Sequence, residues 1–227
     1  MNGGVRFPSG PTGFTSLPGR GKRERVEKNR LEAFSDGVFA IVITLLILEI
    51  RLPEVDYDQL RQALVEVLPR IFAYIMSFII IGLYWISHHN SFHPVKKVDR
   101  VFLWMNMLLL LFVSFIPFPT ALHGRYPFKP LPIIMYGATL IACNAVGLSM
   151  GIYLRTRPHL TVPDFREKYF RPQMPIYALV NGTYAAAMAV APFRPGLSYL
   201  IYAGMTVFLI VFLTRWNMRR DHAIANS

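Results

Sequence analysis

Charge is scarce in this sequence. Asp, Glu, Lys and Arg make up 16% of the 227 residues, where a soluble domain of this length carries about a quarter. With 53% hydrophobic residues and a mean hydropathy of +0.36, that shortfall excludes an ordinary water-soluble domain and points to a bilayer. Cysteine is nearly absent: Cys143 is the only one, so no intrachain disulfide can form, and its place in an apolar run reads as small core packing. Acidic residues are few as well, 13 against 24 Lys and Arg, for a net charge of +11. Such an excess can serve nucleic acid. Here the basic residues fall between apolar runs, where membrane topology accounts for them, so no nucleic-acid partner is read. There is no Ser-His-Asp order, no Gly-rich phosphate loop and no pair of carboxylates within an apolar run, which leaves an enzyme reading little to stand on.

Long apolar stretches are what the sequence has in abundance. Residues 1–24 read as a disordered basic arm, rich in Gly, Pro and Arg. They do not read as a signal peptide, because no apolar stretch follows at the usual distance. Six apolar segments follow: Leu31 to Ile50, Pro69 to Asn90 with an amphipathic lead-in from Tyr57 to Val67, Val101 to Leu122, Leu131 to Leu154, Met174 to Ala191, and Gly196 to Trp216. Each is long enough to cross roughly 30 Å of hydrocarbon at about 1.5 Å per residue. Helices are required there, since an open strand would leave backbone donors unpaired in lipid. The expected fold is therefore an all-α membrane protein of six transmembrane helices over residues 25–220, with a short tail at 221–227. Pro117 and Pro119 should kink or unwind the end of the third segment. Gly137, Gly147, Gly151 and Gly204 read as small positions where helices approach closely.

The basic residues predict an orientation. Seven lie before the first segment, three between the second and third, five between the fourth and fifth and three after the sixth, eighteen of the 24 in all. The alternate side holds Arg51, Arg61, Arg70, Arg125, Lys129 and Arg194. This bias places both termini in the cytoplasm.

Polar groups inside the spans are the informative exceptions. Asp36 enters the first apolar run about one turn from its start. One reading is helix N-terminal chemistry, a carboxylate complementing the dipole; the other adds partners from the second span. That span ends Trp85-Ile86-Ser87-His88-His89-Asn90, at a similar depth because the two segments are antiparallel. Trp85, His88, His89 and Phe92 share one helical face, so an indole, two imidazoles and the Asn90 amide can bond Ser35 and Asp36 in a structural clamp. A metal site on His88, His89 and His93 is the competing reading. His89 and His93 have the spacing of a helical zinc pair, but no Glu lies between them and Pro94 follows at once. From Val38 to Ile50 the first segment has only Thr44 and Glu49 as polar residues. It is apolar all round, which by itself reads as a buried central helix.

The stretch from Arg30 to Leu52 resembles the signature of the endosomal and lysosomal potassium channel family, transmembrane protein 175, and its bacterial relatives: an Arg, three residues, then Phe-Ser-Asp and an apolar run, here Arg30 and Phe34-Ser35-Asp36. The Trp85…His88-His89 stretch fits as well. Bacterial members are similar to one six-helix repeat and assemble as tetramers, whereas animal members carry two repeats and dimerise. The single Phe-Ser-Asp motif here implies a homotetramer in which the first helix lines a central pore. The resemblance places the constriction on Ile41, Thr44 and Leu48, at i, i+3 and i+7 of one face, with Leu45 adjacent. It makes the clamp of Arg30, Phe34, Ser35, Asp36, Trp85, His88, His89 and Asn90 structural. Glu49 falls at the outer mouth, where four carboxylates would concentrate cations. No cofactor is implied beyond permeant potassium ions, and the partners are membrane lipids, monovalent cations and further copies of the chain.

The expected location is a bacterial plasma membrane, with multiple passes. There is no Thr-Val-Gly-Tyr-Gly loop, so a carbonyl filter is absent, and no Arg-rich sensor helix, so steep voltage gating is not expected. A secondary transporter is the alternative function. It would want charges near mid-membrane and broken helices at repeat-related positions; neither is evident, though Asn106, Asn144 and Asn181 are polar positions within spans.

Overall fold

In lipid a chain satisfies its backbone by helix, and the apolar runs do so here. The computed structural model describes residues 20–225, with side chains described over residues 27–215. The seven α-helices among the described residues are α1 (Arg20–Leu45), α2 (Leu60–Phe92), α3 (Arg100–Phe115), α4 (Pro117–Arg125), α5 (Pro130–Thr156), α6 (Met174–Val190) and α7 (Pro195–Ala225). The expected basic arm lies, up to residue 19, outside the described residues, as do the last two residues of the tail.

The six expected spans are all present as helix, with differences at their ends. Among the described residues, five stretches are long and apolar enough to cross a membrane. α6 has 17 residues, about 26 Å of helix, and packs between α5 and α7. The third expected span is α3 and α4 together. The helix is broken at Ile116, and α4 restarts on Pro117. Two prolines, each without an N–H, cannot continue the ladder, and Thr120 N resumes it on Ile116 O. The break is thus a kink and not an unwound end. α2 runs through Pro69 and takes in the amphipathic lead-in from Leu60 onward, while Tyr57–Gln59 forms a 3-10 turn before it. The first span ends its α-geometry at Leu45 and continues as a 3-10 turn over Leu46–Glu49, where a continuous helix to Ile50 was expected. Ile50 N closes the turn on Ile47 O.

α5 is the central post, packed against α3, α4 and α6; α2 packs on α4, and α1 leans on α2 and α3. Close approach needs glycine at particular points. A Cβ on Gly137 would lie 2.3 Å from the Tyr202 hydroxyl and 2.6 Å from Met188 Cγ. One on Gly151 would press on the Phe170 ring at 3.1 Å. Gly147 makes ordinary contact with Tyr177, and Gly204 faces open space. Three of the four glycines read as packing positions are therefore at helix contacts. Cys143 is buried in the core, as its apolar run implied.

The basic loops meet at one end of the bundle. Lys96 N bonds Leu160 O, and Val162 N bonds Pro94 O. Asp99 caps α3 by accepting from Phe102 N and also accepts from the Tyr153 hydroxyl. The α2–α3 and α5–α6 connections are thereby joined, and the Ser35 end of α1 lies near them beside His88.

Candidate pore helix and polar clamp

α1 and the 3-10 turn after it bury one stripe, Leu31, Ser35, Phe39, Val42 and Leu46. The intervals are four, four, three and four residues, one face of a helix. The opposite face is uncovered. Ile41 is 59% exposed and Leu48 61%, and Leu45 and Thr44 are exposed beside them. All four residues expected at the constriction thus share the side of α1 and its 3-10 extension that the described residues leave bare. An apolar helix in a buried central position was expected; within one chain α1 is at the edge. The 3-10 turn winds more tightly than an α-helix, so Leu48 is not a strict i+7 repeat of Ile41. Thr44 Oγ1 donates to Ile41 O at 2.8 Å. Glu49 ends the turn and is exposed.

The end of α1 near Ser35 holds the polar groups. Trp85 Nε1 donates to Asp36 Oδ1 at 2.8 Å, the partner expected from α2. Ser35 reaches α2 by a longer route. Its Oγ donates to Leu31 O at 2.9 Å and accepts from Asn106 Nδ2 at 3.0 Å. Asn106 Oδ1 lies 2.8 Å from His88 Nε2. If the amide donates to Ser35, its oxygen accepts, so His88 carries its proton on Nε2. The links join α1, α3 and α2 in series. Around them His88 packs on Phe39 with ring centroids 5.5 Å apart and on Phe92 at 4.4 Å, and Phe92 packs on Phe102. Ser35, His88 and Asn106 are all buried, and no described buried side-chain polar atom lacks a partner.

The expected members separate into two groups. Ser35, Asp36, Trp85 and His88 are in the clamp. His89 lies beside Trp85 with ring centroids 6.1 Å apart, on the exposed side of α2, and Arg30 and Phe34 are exposed on α1. Asn90 is half-buried one residue further along α2. Asn106 was read only as a polar group inside a span; its depth in the third segment gave no register against α1. The histidines diverge: His88 is buried in the clamp while His89 and His93 face outward. Among the described residues no three His, Cys, Asp or Glu side chains are grouped to hold a metal.

Asn144 and Asn181 form a separate chain away from α1. Tyr84 donates to Leu140 O and Asn144 Oδ1, Asn144 Nδ2 to Asn181 Oδ1, and Asn181 Nδ2 to Tyr177 O. These amides fasten α2, α5 and α6 to one another.

Residues 30–117 match the family described as the endosomal/lysosomal potassium channel TMEM175. The chain superposes on a crystal structure described as a lysosomal potassium-selective channel TMEM175 homolog from Chamaesiphon minutus, with a TM-score of 0.73 and 31% identity over 83% of this chain and 98% of that one. This chain belongs to the TMEM175 family. The family is one of ion channels and not of enzymes, and the chain is an integral membrane protein. A Chryseobacterium relative named as a potassium channel is 46% identical over 114 residues, 50% of this chain and 58% of that protein. A human relative named as the endosomal/lysosomal proton channel TMEM175 is 28% identical over 212 residues, 87% of this chain and 41% of that protein. The chain spans about half the length of the first curated relatives it matches. The family match covers residues 30–117, so it takes in α1 from Arg30 onward, the clamp and the break at Ile116.

Proposed function

We propose that four copies of this chain form a potassium-permeable channel whose pore is lined by the bare face of α1. The observation that carries the reading is the division of α1 into a narrow buried stripe and an uncovered apolar face bearing Ile41, Leu45 and Leu48. A spanning helix at the edge of its own subunit becomes the wall of an axis when subunits close around it. The names of the bacterial relatives supply the ion, and the resemblance supplies the count of four. Rings of Ile41, Leu45 and Leu48 then form a constriction that closes by dewetting, without a moving plug. Thr44 contributes hydroxyl oxygens at one level. Its proton is already engaged on Ile41 O, so lone pairs are what it has left to offer a cation. The clamp of Ser35, Asp36, Asn106, His88 and Trp85 holds the helix, and Glu49 raises the local cation concentration at the outer mouth.

Residues 25–220 form the channel domain, no cofactor takes part, and the membrane is a bacterial plasma membrane with both termini cytoplasmic. The meeting of the basic loops at one end of the bundle supports that orientation. The human relative's name adds protons as a second permeant ion to be measured.

The test is single-channel recording from purified, reconstituted protein under potassium/sodium and pH gradients. Ile41→Asn should wet the narrowest level and raise leak or alter selectivity. If Ile41→Asn and Leu48→Asn both match the unaltered channel in conductance and in reversal potential, α1 is not the pore.

A further inference from the structure

The outer end of α1 is held at one place. Past Leu45 the chain tightens into the 3-10 turn, with Leu46 fully buried and Leu48 turned outward. Just beyond, Arg70 Nη1 donates to the carbonyl oxygen of Arg51 at 2.5 Å. Carbonyls past a helix end have no helical partner, and an Arg side chain is a common way to satisfy one. Arg70 stands ten residues into α2 and is half-buried. Behind it is Gly124, near the end of α4. A Cβ there would stand 2.8 Å from Arg70 Cγ and 2.9 Å from its Cα. The absence of that carbon lets α4 press against the root of the Arg70 side chain. The 3-10 turn itself packs against both α2 and α4.

We infer that Arg70, backed by Gly124, is a positioning residue for the outer constriction: it fixes where the chain leaves α1 and so where Leu48 stands. This rests on the proposal that α1 lines the pore. Arg suits the task because its guanidinium stays charged and its N–H groups are directional. The inner level, Ile41, is secured separately, since the Ser35–Asn106–His88 links lie at the other end of the helix. The two levels of the pore therefore have independent supports, and the outer one can be loosened alone.

The test uses the full chain in a Cys143→Ala background, which removes the only native thiol. Leu48→Cys and Ile41→Cys are introduced singly and assembled channels are reconstituted. A cationic thiol reagent is added from the side of the α1–α2 connection, and the rate of current loss is measured. In channels that also carry Arg70→Met, the rate at Leu48→Cys should change on the order of tenfold, the scale of losing one charge-assisted bond, while Ile41→Cys stays within about twofold. Gly124→Ala, which crowds Arg70, should act in the same direction, and Arg70→Lys should restore part of the original rate. Unchanged rates at Leu48→Cys, or equal changes at both levels, would overturn the inference. Should Arg70→Met not assemble, the Gly124→Ala rates decide in the same way. If neither cysteine affects current when Arg70 and Gly124 are intact, the pore reading has failed and not the latch.

Discussion

Asn106 is the residue on which the inner end of α1 depends most. It is fully buried and occupies both neighbours, donating to Ser35 and facing His88. Asp36 was the residue the sequence drew attention to, but its partner Trp85 is 40% exposed, so lipid headgroups or water can replace that bond. Each polar group stranded without water costs about 1–3 kcal/mol. Asn106→Leu strands the buried His88 N–H and takes one bond from Ser35, which keeps its own on Leu31 O, whereas Asp36→Ala strands a partly accessible group. Thermal unfolding in detergent should therefore show Asn106→Leu as the more destabilised protein, and its oligomer yield should fall further. The reverse order would mean that the Asp36–Trp85 bond is the real fastening. A second pair of residues separates attraction from discrimination. Glu49→Gln should lower conductance chiefly at low salt, because fields at the mouth are screened within about 10 Å at 0.1 M. Thr44→Ala should shift the potassium/sodium reversal potential. An unchanged ratio would place selectivity in the apolar rings.

Among elements, the helices are held by contact where side chains are small and by hydrogen bonds where they are polar. Gly137 lets α5 receive Tyr202 of α7 and Met188 of α6, while Gly204 has nothing within 4 Å. The sequence presents the two alike, as glycines in apolar helices. Gly137→Ala should destabilise by about 1–3 kcal/mol, the range for overpacking, whereas Gly204→Ala should be neutral or slightly stabilising because Ala favours helix. Unfolding of the two variants side by side checks this. Equal losses would show that Gly204 meets a surface supplied by another copy of the chain. The α3–α4 kink was legible from Pro117 and Pro119, because a missing N–H is local chemistry. The 3-10 ending of α1 was not, because no proline or glycine marks Leu46–Glu49, and the turn rests on burial of Leu46 and packing against α2 and α4.

For the whole molecule, the proposed channel needs more than one chain. Its first helix turns apolar side chains away from its own core, yet that face also carries Thr44 and runs out to Glu49. In a lone subunit these groups would meet lipid; around an axis they meet each other and the permeating ion. Native mass spectrometry of the purified protein should give the mass of four chains, and a stable dimer or trimer would remove the count on which the pore depends. Orientation can be checked on the same preparation. Protease or thiol labelling from the cytoplasmic side of cells should reach the α5–α6 connection and not the one between α1 and α2.

The sequence by itself determined that this is a helical membrane protein, how many apolar runs it has, which way they are charged and where the Phe34-Ser35-Asp36 motif opens the first of them. Those features depend on composition and on neighbours along the chain, and hydrophobic length and charge need no partner to be read. Tertiary structure decided the rest. It chose Asn106 as the link between Ser35 and His88, left His89 outside the clamp, and placed Arg70 against Arg51 O and Gly124. It also left the Ile41–Leu48 face of α1 bare. An all-apolar helix has no period from which its buried side can be inferred. Pairings across 71 residues, such as Ser35 with Asn106, depend on helix register and depth, which only packing sets.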